Sequence, residues 1–280
     1  MPRNTIDTAF TRQFESEVHL AYQRMGSKLR PMVRSKSVTG STAQFPIMGR
    51  GKATRKARNG EIIPMNPDHG FREVTLQDWY AGSWVDKLDE AKTNIAERDL
   101  LSRLGAYALG RKTDEMITDA LQTVPSTQTV GTGTTALTKQ LVQAAILKFN
   151  KADVPDDGRR FAVIAPEVYE DLMNIPEFAD ADYIGDGNLP WLQGGASQTK
   201  PWRGIWWTMF TGLPVDGTVT HNFLWHADVV GHAIGSEVQS DITWHGDRAA
   251  HFVNNMMSQA ALVIDDQGVV RIDTLTRESV

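Results

Sequence analysis

This sequence predicts an α+β fold, on three observations. Apolar residues recur at helical spacing from Ile95 to Leu121. Residues 34–86 place two β-favouring runs around a segment rich in turn formers, as a long hairpin does. The C-terminal half returns repeatedly to short apolar runs bounded by Gly, Pro and Asp, as buried strands do. At 280 residues the chain is long enough for one large or two ordinary domains with a substantial core. Its 41% hydrophobic and 22% charged content is that of a globular protein.

The elements follow in chain order. Phe10, Phe14, Val18 and Tyr22 recur every fourth residue, which predicts a one-striped helix over Phe10–Arg24. Pro31 stops its continuation. Ser37–Gly49 reads as a strand, and Phe71–Val85 as its hairpin partner, with an imperfect alternation in which Val74, Leu76 and Trp84 share one parity and Trp79 takes the other. Asn59-Gly60 supplies a turn between them, and Pro64, Pro67 and Gly70 punctuate the return. A two-stranded hairpin is barely stable alone in water, so one this long is expected to lie on another surface. A helix follows over Ile95–Gln122, spanning roughly 40 Å at about 1.5 Å per residue. Asn94 is its expected cap, with Glu97 as capping-box partner. Gly105 and Gly110 mark close packing or a bend. Gly131–Thr135 separates this helix from a second over Leu137–Phe149. Phe161–Ala165 reads as a buried strand, Pro166–Asn174 as a helix opened by proline, and residues 175–200 as loop. Strands are expected at Ile205–Thr211, Asn222–Ala227 and Val229–Ile234, and a strand–turn–strand over Ala260–Leu275.

Charge is sorted along this chain. Arg24–Arg58 holds 10 of the 29 Lys and Arg and no acid, leaving 19 basic residues against all 34 acidic ones elsewhere. Ten cations with no acid among them repel one another and call for an outside offset. Two offsets remain open: the acidic body of a neighbouring copy, or the phosphates of duplex nucleic acid. Phe45 is the lone aromatic in the stretch, which disfavours stacking on single strands. No nucleic-acid-reading motif accompanies it, so subunit docking is the favoured role.

Other chemistry finds little support. With no Cys, thiol catalysis and Cys-ligated metal are excluded, and synthesis inside a cell is expected. His226/His232 and His245/His251 are six apart, not the four of a helical zinc motif. Asp180–Asn188 opens like a calcium loop, yet Ile184 stands at its fifth position and Trp191 at its twelfth. The glycines of Gly131–Thr135 lack the Gly-Lys-Ser/Thr of a phosphate loop, and no Gly-x-Ser-x-Gly is present. No enzyme, cofactor or metal is expected. No apolar run of about 18 residues predicts a membrane span, and the first residues lack the apolar stretch of a secretion signal.

Four segments, in order and spacing over almost the whole chain, resemble the major capsid proteins of tailed double-stranded DNA phages, which share the Hong Kong 97 fold. They are Arg160–Met173, Phe210–Val215, His226–Val238 and Ala261–Ile272. The resemblance implies an N-terminal arm (1–33), an extended E-loop hairpin (34–86), a peripheral domain with a long spine helix (87–133 and 236–263) and an axial domain (134–235 and 264–280). It implies a homo-oligomer of hexamers and pentamers closed into an icosahedral shell around packaged DNA, in a virion assembled in the host cytoplasm. Since the chain has no room for a scaffolding region before the hairpin, a separate scaffold protein, or none, is implied, and a portal and a decoration protein are the other partners the resemblance brings. The E-loop of one subunit would cross the spine of the next. Arg50, Lys52, Arg55, Lys56 and Arg58 would be the basic tip, and Asp86, Asp89, Glu90 and Glu97 its acidic receivers. Family members that crosslink use an E-loop lysine; Lys52 and Lys56 fit that place, with no Asn partner or catalytic Glu fixed by the sequence. A cellular nanocompartment shell of the same fold and a DNA-binding protein using the basic arm stand as alternatives.

Overall fold

The computed structural model describes residues 26–92, 97–179 and 199–277. The expected helix over residues 10–24, the Asn94 cap and the Asp180–Asn188 loop lie outside them. In chain order the strands and helices are β1 Arg34–Ser37, β2 Thr42–Met48, β3 His69–Thr75, β4 Gln77–Asp86, α1 Lys87–Lys92 and α2 Glu97–Gln122. After these come β5 Thr129–Val130, α3 Lys139–Lys151, β6 Arg160–Ile164, α4 Pro166–Met173 and α5 Pro176–Ala179. The last are β7 Thr199–Trp202, β8 Ile205–Met209, β9 Val215–Asp216, β10 Val219–His226, β11 Val230–His245, β12 Ala250–Val263 and β13 Val269–Leu275. The chain divides into two compact units. One takes in Met1–Gly26, Asp78–Arg111 and Glu237–Met257; the other takes in Ser27–Gln77, Lys112–Ser236 and Ser258–Val280.

The larger unit is built on a mixed sheet in the order β5-β13-β10-β6-β8-β7, with β9 paired to β10. Alternate side chains of a strand point to opposite faces, and here both faces are covered. Ala162, Ile164, Leu224, Val270 and Ile272 meet Val142 and Phe149 of α3 and Val168 and Leu172 of α4. Their neighbours Val163, Phe223, Trp225 and Val269 face Ile117 and Leu121 of α2 and Leu29 on the other side. Burial on both faces is why Phe161–Ala165 is continuously apolar instead of alternating. The buried Asn222 and Arg160 are paired, as burial requires. Asn222 accepts from the Ala165 amide at 3.0 Å and donates to Thr274 Oγ1 at 2.9 Å. The Arg160 guanidinium donates to the carbonyls of Pro155 and Val154 at 3.0 and 2.6 Å. Thr138 caps α3 by accepting from the Leu141 amide.

The expected hairpin is present but shorter. β2 and β3 pair antiparallel from Thr42↔Thr75 to Met48↔His69. The strands read as Ser37–Gly49 and Phe71–Val85 are each two strands. β1 leaves the hairpin at Gly40, whose φ of +121° suits glycine, and pairs parallel with β11. β4 joins a second sheet in the order β1-β11-β12-β4. The imperfect alternation has its cause here: Val74 and Leu76 turn inward on one parity, Ala81, Ser83 and Val85 on the other, and the phase changes at the junction of β3 and β4. The strand expected to end at Ile234 runs on to His245, and its partner β12 begins at Ala250, ten residues before the expected start.

In the smaller unit, the buried Asn255 of β12 joins the sheet to α2. Its Nδ2 donates to the Ala81 carbonyl at 3.3 Å, and Ser240 donates to its Oδ1. Gly105 of α2 lies directly over it: a Cβ there would sit 2.0 Å from Asn255 Nδ2. Close packing, not a bend, is thus what Gly105 serves.

Candidate functional site

Past the last β2–β3 pair every residue from 49 to 68 except Gly60 and Pro67 is exposed, and the segment has no regular secondary structure. The ribbon beneath is held from one side. Ala43 and Phe45 are buried with Ala233 and Ile264, and Val74 packs against the same group. Phe45 lies against Gly231, where a Cβ would come within 2.9 Å of the ring. Further out, the chain reverses through Ala57–Gly60, closed by the Gly60 amide donating to the Ala57 carbonyl at 3.0 Å, with Asn59 at a φ of +64°. The Asn-Gly turn read from the sequence is therefore in place.

The five tip cations sit on one limb, and all are exposed. They do not behave alike. Arg50 bonds within its own unit, to the Asp153 carboxylate at 3.0 Å and the Ala152 carbonyl at 2.5 Å. Lys52, Arg55, Lys56 and Arg58 have no polar partner among the described residues. A second intrachain clamp, which sequence reasoning missed, joins Arg72 of β3 to Asp266 at 3.0 Å.

Of the acidic group, Asp86 ends β4 and accepts from the Leu88 amide at 2.7 Å, so it caps α1. Asp89 and Glu90 follow on α1, and Glu97 opens α2. The first three are gathered at one strand–helix junction. Glu115 and Asp119, both exposed on α2, are further acids that the sequence reading did not single out. Partial burial and the charge of Glu115 raise the Asp119 pKa, against the pull of Lys112.

Exposed apolar side chains are the other feature that sequence reasoning missed. Met48 and Phe71 stand out from the ribbon, and Ile62 (75% exposed), Ile63 and Met65 line the return limb. Their signal was the run Glu61-Ile62-Ile63-Pro64-Met65. The loop thus shows cations on one limb and aliphatics on the other, both exposed.

The four histidines of the two six-residue spacings have structural partners. His226 donates from Nε2 to Asp157 at 3.0 Å and accepts from the Asp228 amide at Nδ1, and this bond depresses the Asp157 pKa. His232 bonds through Nε2 to Gln259 at 3.0 Å. His251 packs at a tilt against Trp244, and His245 meets Trp84 edge to face. Among the described residues no cluster of metal-ligating side chains occurs, and no helix is long and apolar enough to cross a membrane.

A family model described as phage capsid protein matches residues 6–276. No curated protein matches by sequence. Among solved structures, the capsid of cyanophage Pam1 is similar at a TM-score of 0.73 with 14% identity, covering 100% of both chains. The capsid of cyanophage P-SCSP1u gives 0.73 and 14%, covering 96% of this chain and 94% of the other. Mycobacterium phage Che8 gives 0.70 and 17%, covering 95% and 97%. At such identities the likeness lies in the fold.

Proposed function

This chain belongs to the phage capsid protein family, and on that footing we propose that it builds the icosahedral head shell of a tailed phage by gripping its own copies. Its α+β architecture is the Hong Kong 97 type, and its role is structural. The hairpin tip carries the proposal for the grip. It has four cations without partners among the described residues and a row of exposed aliphatics on the return limb. A neighbouring copy supplies both kinds of complement. The tip Arg50, Lys52, Arg55, Lys56 and Arg58 crosses to Asp86, Asp89, Glu90 and Glu97 of the next subunit, with Arg50 exchanging its intrachain bond for that contact. Apolar burial supplies affinity and charge sets register. Subunits gather as hexamers and pentamers in the host cytoplasm and close around double-stranded DNA, with a scaffold protein, a portal and a decoration protein as further partners.

Cryo-electron microscopy of the expressed protein tests this. Hexamers, pentamers or closed particles are expected. A population of monomers unchanged by salt and concentration overturns it.

A further inference from the structure

We propose that Asn59-Gly60 in the hairpin tip is a site of self-modification, where the Gly60 backbone amide displaces ammonia from the Asn59 side chain and leaves a carboxylate among the tip cations.

The chemistry needs an amide nitrogen that reaches the carbonyl carbon of the preceding side chain. Attack by the Gly60 nitrogen on Asn59 Cγ closes a succinimide ring, so the chain itself holds the reactants together. A following residue with a side chain crowds that approach, and glycine does not. Asn59-Gly60 is the one Asn-Gly pair in the sequence. Asn66 carries the same side chain, but Pro67 after it has no N–H to lose.

The structure leaves the pair open. Asn59 is exposed, in a segment without regular secondary structure. Its φ of +64° lies in the left-handed region, which strains an L residue. The Gly60 amide closes the turn by donating to the Ala57 carbonyl at 3.0 Å. That bond occupies the N–H that must react, so the turn opens first. Such a bond at the surface is worth little net, and opening it slows the reaction by no more than about tenfold against a free peptide.

Charge favours the step. The nitrogen reacts as its anion, and the negative charge then passes to the side-chain oxygen. Lys52, Arg55, Lys56 and Arg58 stand just before the pair, against the carboxylate of Glu61 just after it, so the local field is positive. The Gly60 proton goes to hydroxide. The N–Cγ bond forms, the Cγ–Nδ2 bond breaks, and Nδ2 leaves as ammonia with a proton from water. Hydrolysis of the ring at Cγ gives an aspartyl residue; hydrolysis at the backbone carbonyl carbon gives an isoaspartyl one. Water is the co-reactant, and nothing is oxidised or reduced. Either product sets a new carboxylate beside Arg58. The isoaspartyl link also adds a methylene to the backbone, which the closed turn does not accommodate. On the shell reading above, converted chains are poorer partners, so the tip limits how long a free subunit stays competent.

The test incubates free subunits beside a synthetic peptide of residues 50–72. Mass spectrometry follows the exchange of NH2 for OH in the tryptic peptide Asn59–Arg72. Conversion is expected at Asn59 and not at Asn66, at no less than about a tenth of the synthetic peptide's rate. It should rise about tenfold per pH unit and fall about two- to threefold in 1 M NaCl. G60A should lower it by about tenfold or more. A slower rate than this in the subunit, conversion at Asn66, or an undiminished rate in G60A overturns the site. A rate unmoved by salt strikes the cations from the mechanism. In particles assembled from aged subunits, converted chains should be about twofold or more scarcer than in the unassembled pool. Equal content overturns the effect on assembly and leaves the chemistry standing. If fresh subunits form no particles, the shell reading fails, and the chemistry is still decided on the free subunit.

Discussion

Lys200 places a positive charge among aromatic rings. It is 3% exposed, its ammonium is 4.1 Å from the Phe178 ring centroid, and it donates to the Phe178 carbonyl. Desolvation pushes its pKa down to about 8, from an ordinary 10.5. Between those values the unfolded chain holds the proton that the folded chain has released, so stability rises with pH from about 8 to 10.5. Below that window the charge is carried at a cost of about 3 kcal/mol. K200M removes the charge and keeps a contact with the ring, but it leaves the carbonyl unpaired, which costs about 1–2 kcal/mol. In urea titrations of free subunits, K200M should be about 1–2 kcal/mol more stable than the parent at pH 7 and should lose that advantage by pH 10.5. A difference that stays flat across the window would mean that the ammonium is not desolvated. Gly105 makes the opposite case. G105A improves helix propensity by ~1 kcal/mol, but its methyl would occupy the place of the Asn255 amide. Overpacking and the lost bond to Ala81 outweigh the gain, and a net loss of about 2 kcal/mol is expected from the shift in urea midpoint.

At the scale of elements, the hairpin root is held by apolar packing and two exposed arginine pairs. Arg50–Asp153 and Arg72–Asp266 are both 3.0 Å long, and their side chains are 34–78% exposed. Exposed pairs contribute ~0.2–1 kcal/mol each and weaken in salt. R72A should therefore speed amide exchange in β2 and β3 by no more than about fivefold at low salt. The difference should vanish in 1 M NaCl. A much larger effect would mean that Arg72, not the burial of Phe45, holds the ribbon. The ribbon also marks how far the sequence could be read. The helix Glu97–Gln122 and the double-faced strand at Phe161 were legible because their periodicity is set by burial that their own residues record. The hairpin was legible as a hairpin, with its Asn59-Gly60 turn. Its division at Gly40 and Leu76 was not, because the residues on either side of each break favour strands equally and only pairing partners far along the chain separate them. β11 beyond Ile234 was missed for a related reason. Gly235, Glu237 and Asp241 interrupt the apolar run, and the alternation of Val238, Ile242 and Trp244 is the sparse pattern of an edge, not of a core.

At the scale of the whole molecule, the charge segregation that the sequence displays says what the tip needs but not what holds it. In the proposed contact, four cations would face a neighbour's acids across water, where charge is screened within about 8–10 Å at ordinary ionic strength. Their attraction therefore speeds and orients encounter more than it deepens binding. Burying an isoleucine or methionine side chain contributes about 1.5–3 kcal/mol whatever the salt. The basic limb was conspicuous in the sequence because charge shows without a fold. The aliphatic limb was not, because Ile62 and Ile63 look like core residues until the structure leaves them bare. Two variants separate the roles. Changing Lys52, Arg55, Lys56 and Arg58 together to Gln should slow assembly at low salt by tenfold or more, and the parent should slow toward the same rate as salt rises. Particles that do form should resist urea nearly as well as the parent's. Changing Ile62 and Ile63 to Ser should leave the salt dependence of the rate intact and lower the urea midpoint of the particles at every ionic strength. Light scattering gives the rates, and electron microscopy of urea-treated particles gives the midpoints. If the glutamine variant makes particles that fall apart as readily as the serine variant's, charge is part of the cement and the division of labour between the two limbs is wrong.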